Sequence, residues 1–302
     1  MKKIEIGVGT RESYFVLPLL KALQSIKAKY EFEVSLTPMI PAFSIRVDDK
    51  IVGYMAHSDY YPIGPYAKEW LAPINDQVKI IFKLQFDPNW DYGKEIDRPE
   101  RVVSAGYIFP WFEDFDIYEL DAEETLNRER PFDVVSAMTL NRNAETYSKV
   151  LPVIPLHVWS VPRQEINLQA AQLKQEGYQV EKDMTPRNIY FGKLFYSKLG
   201  FNWSGCGYLT FRIIEYICAG VVMITNPLGK DHPIREDVIL EDGVHCVFCD
   251  DPKRFKQEAV LLLKDPVKMR KIRANVVELW RDKLCLKQMG EWYYQKLKSV
   301  EG

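Results

Sequence analysis

One stretch constrains this chain more than any other: Ser204-Gly205-Cys206-Gly207-Tyr208-Leu209-Thr210-Phe211-Arg212-Ile213-Ile214-Glu215-Tyr216-Ile217-Cys218-Ala219-Gly220, followed by Val221-Val222-Met223-Ile224-Thr225. It opens on two glycines, which let a backbone approach a ligand closely and take positive φ at little steric cost. A helical pattern follows, with Gly220 placed as the C′ residue that ends it. The apolar run 221–224 then has the length of a buried strand. A helix N-terminus fed by such a loop offers unpaired N–H groups and the positive end of a dipole, so it suits phosphate. Arg212, in the first turn, can add a bidentate phosphate contact. Glu215 lies three residues further on, on the same side of the helix. A carboxylate there can accept both hydroxyls of a ribose. The same residues also fit a plain β/α unit in which the glycines shape a turn and Arg212 pairs with Glu215, because a glycine loop alone is a weak signature.

The rest of the chain alternates strands and helices. Lys3–Val8 reads as a strand, then Gly9-Thr10-Arg11-Glu12-Ser13 and a helix with Pro18 in its first turn. Residues 43–47 and 51–55 read as a hairpin across Asp48-Asp49-Lys50, and 79–84 and 101–105 as short strands. Aromatic loops carry Tyr60, Tyr61, Tyr66, Trp70, Trp90, Tyr92, Trp111 and Phe112. After the charged, Pro-containing segment 128–131, a second series begins with a strand at 132–138. Helical pattern follows at 144–157, broken by Pro152 and Pro155, and again at 164–176. A strand at 245–250 and helices at 251–263, from 266 onward and at 286–300 complete the chain. Strands alternating with helices imply parallel sheets covered on both faces. With 302 residues, more than one typical core, the expected architecture is α/β with two facing Rossmann-like domains and a deep cleft between them. The expected domains are 1–130 on the acceptor side, 131–285 binding a nucleotide-sugar, and a C-terminal helix, 286–302, crossing back to the first.

The formal charge of −2 gives no global field to gather nucleic acid. No apolar run approaches the about 20 residues that span a bilayer. The opening Met1-Lys2-Lys3-Ile4-Glu5-Ile6 has no apolar signal region, so the expected location is cytoplasmic. Five cysteines fit a reducing compartment. Cys246-Val247-Phe248-Cys249 has CxxC spacing, but with no second pair at zinc-ligand distance a buried strand is the favoured reading over a redox or metal site.

The glycine loop, Arg-x-x-Glu, small Ala-Gly pair and apolar strand resemble the nucleotide-sugar motif of GT-B glycosyltransferases, most closely the group that includes the spore-maturation-like transferases. The stretch Glu241-Asp242-Gly243 through Phe248-Cys249-Asp250-Asp251-Pro252 continues the likeness, which spans about a hundred residues from Arg187 to Arg281. The resemblance implies that Glu215 binds the ribose of the nucleotide and that Gly205, Gly207, Thr210 and Arg212 hold its diphosphate. It implies a metal-independent transfer of a hexosyl or pentosyl unit from a nucleotide-diphospho-sugar, with no cofactor beyond that co-substrate. The acceptor would be a carbohydrate, lipid-linked or other hydroxyl. Many retaining members carry a second Glu eight positions before the ribose Glu; Gly207 stands there, so retention against inversion stays open.

Arg142 follows the first strand of the second series, where such folds bind ligands and where the family often places a diphosphate-binding Arg. Arg187 and Lys193 are weaker candidates of that kind. Gly9, at the end of the first strand, would face acceptor or donor phosphate; no third glycine completes a dinucleotide fingerprint. For a general base, Asp59 in His57-Ser58-Asp59-Tyr60-Tyr61 ranks first, His57 second and Asp87 third, each also readable as a cap or turn residue. His232 reads mainly as a turn residue. Lys264, Lys268, Arg270, Lys271 and Arg273 with Val276, Val277 and Trp280 form an amphipathic basic run, a solvated face or a peripheral contact for anionic lipid. Other readings kept open are a transferase acting on hydroxymethylated DNA bases, a sugar-nucleotide epimerase and a non-catalytic nucleotide-binding protein.

Overall fold

The structure is a computed structural model that describes residues 1–8, 16–38, 42–56, 63, 65–84, 86–106, 121–136, 138, 160–182, 186–205, 209–228 and 232–301. Its elements begin with β1 (Lys3–Val8), α1 (Leu17–Tyr30), β2 (Glu33–Pro38), β3 (Ser44–Val47), β4 (Lys50–Ala56), α2 (Pro65–Leu71), β5 (Ile80–Lys83) and β6 (Val102–Ser104). They continue with α3 (Ala122–Asn127), β7 (Phe132–Val135), α4 (Ser160–Gln175), β8 (Val180–Glu181), α5 (Arg187–Phe195), β9 (Ser197–Phe201) and α6 (Phe211–Cys218). Last come β10 (Val222–Thr225), β11 (Cys246–Phe248), α7 (Phe255–Leu263), α8 (Pro266–Leu279) and α9 (Leu286–Val300). Unit 1 comprises Met1–Glu119, Asp231–Ile239 and Arg281–Gly302; unit 2 comprises Leu120–Lys230 and Leu240–Trp280. The backbone passes between them at 119/120, 230/231, 239/240 and 280/281.

Unit 1 is built on a sheet of order β2-β1-β3-β4-β5-β6. The hairpin expected from Asp48-Asp49-Lys50 is present. Asp48 and Asp49 both take positive φ, 44° and 68°, as a two-residue primed turn requires. Asp48 Oδ1 also accepts from the Lys2 and Lys3 N–H groups, at 3.0 and 2.8 Å, which fixes the turn against the start of β1. The hairpin makes β1–β3 and β3–β4 antiparallel, while β1–β2, β4–β5 and β5–β6 are parallel. The sheet is therefore mixed rather than wholly parallel: a two-residue connection can join only antiparallel strands.

Helix α9 covers α1 in this unit. A Cβ on Gly290 would lie 2.1 Å from the Ala22 carbonyl oxygen, so the two backbones meet where no side chain fits. Tyr30 and Tyr294 stack at 4.1 Å. Glu291 accepts from Lys29 Nζ at 2.6 Å and from the Tyr30 hydroxyl. The buried Tyr293 hydroxyl donates to the Ala105 carbonyl, and its ring meets Phe82 of β5 edge-on. The 232–239 segment docks on the same unit: the Ser104 hydroxyl donates to the Ile234 carbonyl at 3.1 Å. Arg235 binds Asp237 through two nitrogens and the Lys283 carbonyl at 2.9 Å.

Unit 2 carries a sheet of order β11-β10-β9-β7-β8, parallel throughout. Strand β9 is central, yet its sequence Ser-Lys-Leu-Gly-Phe hides it. Gly200 is required there because a Cβ would lie 2.6 Å from the Tyr216 ring. The Tyr216 hydroxyl in turn donates to the Phe201 carbonyl at 2.9 Å, tying α6 to the end of β9.

Gly220 ends α6 at φ 63°, the left-handed C′ geometry expected for it. Two buried arginines fasten that turn. Arg130 donates to the Ala219 carbonyl at 2.7 Å and to Thr125, Ser197 and Phe195 carbonyls at 3.0, 2.8 and 3.0 Å. Arg273 Nε donates to the Gly220 carbonyl at 3.1 Å. Gly220→Ala would force a left-handed alanine, at roughly 1 kcal/mol, and set its Cβ 2.8 Å from Thr125 Cγ2. The expected result is a loss of about 2 kcal/mol, read as a lower urea midpoint with an unchanged slope; a midpoint equal to wild type would mean the cap is not strained.

Candidate functional site

In open α/β sheets ligands bind beyond the carboxyl ends of parallel strands. In unit 2 that edge carries a buried polar network absent from the sequence expectations. Asn202, next after β9, donates through Nδ2 to Thr225 Oγ1 at 2.9 Å and accepts the Thr210 hydroxyl at 2.7 Å. Asn226, next after β10, accepts the Ser204 N–H at 2.8 Å and donates to the Ser204 hydroxyl at 2.8 Å. Buried polar groups that satisfy one another specify a single arrangement. Here they fix both ends of the 204–210 loop, of which 206–208 lie outside the described residues.

Gly205 serves this loop in an unexpected way. Its φ is not positive; a Cβ there would lie 2.7 Å from Nη2 of Arg163 on α4, the far end of a side chain that would have to shift. That same nitrogen donates to the Trp203 carbonyl at 3.0 Å. A buried guanidinium, only 9% exposed, is thus pressed against the loop backbone.

Helix α6 begins at this loop. Thr210 is its N-cap residue, but the side chain makes no cap bond because the hydroxyl points to Asn202. The Thr210 carbonyl instead accepts the Ile213 N–H, at 3.0 Å. Arg212 stands in the first turn and Glu215 one turn further, 7% exposed. The hydroxyl of Tyr190, on α5, donates to Glu215 Oε2 at 2.7 Å, and Tyr190 is also a hydrogen-bond neighbour of Arg212. Burial, then the Glu215 charge, pushes the Tyr190 phenol well above its ordinary range. Burial likewise pushes Tyr216 up. For Arg212, burial works to lower the guanidinium, but Tyr190, Tyr216 and Glu215 outweigh it and raise it. At neutral pH the Arg212 cation and the neutral phenols of Tyr190 and Tyr216 thus stand around Glu215.

The structure thus places Gly205, Thr210, Arg212 and Glu215 at one edge of one sheet. Gly9, His57, Asp59, Arg142 and Gly207 lie outside the described residues, as does the Arg187 side chain. Lys193 is paired with Glu181 at 2.5 Å. Asp87 sits in a turn, its Oδ1 accepting the Asn89 N–H at 2.8 Å. His232 belongs to unit 1. Of the basic run on α8, Arg273, Val276 and Val277 are buried in unit 2, while Lys268, Arg270 and Lys271 are exposed.

Cys246 and Cys249 flank β11 as buried free thiols. Burial pushes both upward, Cys249 to about 11, so neither is a thiolate at neutral pH. This is the buried strand favoured for the CxxC segment from its sequence. Among the described residues, no group of three or more His, Cys, Asp or Glu could hold a metal ion, and no helix is long and apolar enough to cross a membrane.

Two α/β units, one on a mixed sheet and one on a parallel sheet with its loop-helix site at the carboxyl edge, define the GT-B class of fold. No family model and no curated protein matches the chain by sequence. Solved structures do match in shape. Anabaena Alr3699/HepE in complex with UDP superposes with a TM-score of 0.52 at 10% identity, covering 99% of this chain and 100% of that one. The same protein in complex with UDP and glucose gives a TM-score of 0.52 at 11% identity, with 99% and 100% covered. A glycosyltransferase from Rickettsia africae gives 0.48 at 12% identity, with 97% and 83% covered. At such identities the likeness is one of fold.

Proposed function

We propose that this chain is a glycosyltransferase whose unit 2 binds a nucleotide-diphospho-sugar at the N-terminus of α6. The observation that carries the reading is the placement of Arg212 and Glu215 on successive turns of one helix, at the carboxyl edge of a parallel sheet. A cation and the positive end of the helix dipole suit a diphosphate, and a buried carboxylate one turn away suits the two hydroxyls of a ribose. The Anabaena protein of the same fold was crystallised with UDP and with UDP and glucose, which supports the same donor class here.

In the proposed reaction an acceptor hydroxyl oxygen attacks the anomeric carbon of the donor sugar. The bond from that carbon to the diphosphate oxygen breaks, and the nucleoside diphosphate leaves as an anion. Arg212, Arg142 and the loop N–H groups stabilise the charge that develops on it, a role a metal ion fills in other transferases. The proton of the acceptor hydroxyl passes to a base, Asp59 or His57 in this reading. The chain would work inside the cell on a hydroxyl-bearing carbohydrate or lipid-linked acceptor.

Thermal unfolding against UDP, GDP, ADP and CDP, with Glu215→Ala beside the wild type, tests the donor site. At about a hundred times its dissociation constant, a ligand adds about 2.7 kcal/mol, an upward shift of about 5 °C for a chain of this size. One diphosphate is expected to shift the wild type and not the variant. If none of the four moves the wild type, the donor-site assignment is wrong. Acceptor-dependent release of the diphosphate then separates transfer from epimerisation or silent binding.

A further inference from the structure

We propose that Tyr190 is a positioning residue for ribose recognition, holding the Glu215 carboxylate in the one orientation that meets a 2′,3′-diol. The inference rests on the reading of unit 2 as a nucleotide site. The two residues come from different elements, α5 and α6, separated by 25 positions, and meet in a bond of 2.7 Å. The last torsion of a glutamate is broad and has no sharp preferred angle. A carboxylate free to turn would present its lone pairs in many directions, and a diol must be met by two of them at once. Fastening Oε2 to a phenol fixes the plane of the group. It uses one of roughly four lone-pair positions of the carboxylate.

The electrostatics act in the same direction. Tyr190 stays protonated across the working pH range, because burial and the neighbouring Glu215 charge both oppose its ionisation. It is thus always a donor to Glu215. Its contact with Arg212 places a phenol between the cation assigned to phosphate and the carboxylate assigned to ribose. A shift of either group is therefore felt by the other. A purely architectural bond tying α5 to α6 would look the same in the structure but would not care whether the ligand carries a 2′-hydroxyl.

That difference supplies the test. Affinities of UDP, GDP and ADP and of their 2′-deoxy forms are measured by calorimetry for wild type and Tyr190→Phe, which keeps the ring and removes only the donor. Wild type is expected to favour the ribo form about 10-fold, and Tyr190→Phe to bring that ratio close to one by weakening the ribo form alone. Any loss of folded protein lowers both affinities by the same factor and cancels from the ratio; sucrose keeps a destabilised variant folded for the measurement. Equal weakening of both forms, or an unchanged ratio, would overturn the proposal for Tyr190 while leaving the nucleotide site in place. Failure of all three diphosphates, and of CDP, to bind wild type would overturn the nucleotide reading and this inference together.

Discussion

Arg130→Met is expected to lower the stability of the chain by about 4 kcal/mol. The guanidinium is 5% exposed and donates to four carbonyls, those of Thr125, Phe195, Ser197 and Ala219. Burial, with the charges of Arg273 and Arg128 beside it, pushes Arg130 down to about 9. It is therefore still a cation at neutral pH. Its buried charge is tolerated because the fork meets carbonyl dipoles on both sides. Methionine fills similar volume but donates nothing, and each acceptor left dry costs about 1–3 kcal/mol, less where a carbonyl keeps another partner. The four carbonyls belong to α3, the α5–β9 turn, β9 and the end of α6, so the loss would loosen the base of the site helix. Lysine offers a compact charge rather than a planar fork, and Arg130→Lys should recover less than half of the loss. Urea unfolding followed by circular dichroism reads both variants. A Met variant within about 1 kcal/mol of wild type would show that the four bonds are not what holds these segments.

In unit 1 the corresponding weak point is Gly290, where alanine is expected to cost about 3 kcal/mol. The intrinsic preference runs the other way, since alanine in a helix interior is favoured over glycine by about 1 kcal/mol. Packing decides the sign. An added Cβ would stand 2.1 Å from the Ala22 carbonyl oxygen, a backbone atom that cannot rotate aside, so α9 must move off α1. That movement opens the Tyr30–Tyr294 stack and the Glu291 contacts with Lys29 and Tyr30. Gly192, an exposed position of α5 with nothing within 4 Å of its Cβ direction, gives the opposite case. Gly192→Ala should stabilise by about 0.5–1 kcal/mol. Melting temperatures of the two variants moving in the same direction would refute the packing argument.

Much of this architecture was legible in the chain because it depends on local rules. The Asp48-Asp49 turn, the Gly220 stop and the order loop, helix, strand across 205–225 all follow from φ preferences and periodicity acting within a few residues. The elements that escaped depend on distant partners. Strand β9 contains a glycine because of Tyr216, sixteen residues later, and β2 is a half-exposed edge strand of alternating weak signal. At the site, Glu215 and Arg212 stood out by type and spacing. Tyr190, Arg163, Asn202 and Asn226 did not, since nothing local says that α5 and α4 reach the loop. A signal did exist for Asn226, which follows directly on the apolar strand β10, where a polar residue faces the ligand edge; Asn202 follows β9, whose sequence hides it.

The division of unit 1 into three separate stretches of chain has a consequence in time. Helix α1 is made well before α9: Glu291, which meets Tyr30, follows it by 261 residues. At about 5–20 residues per second, the face of α1 carrying Ala22, Ile26 and Tyr30 waits on the order of 15–50 s for the helix that covers it. Unit 2 has all its residues once Trp280 has emerged. The half that begins second therefore has its full set of residues first.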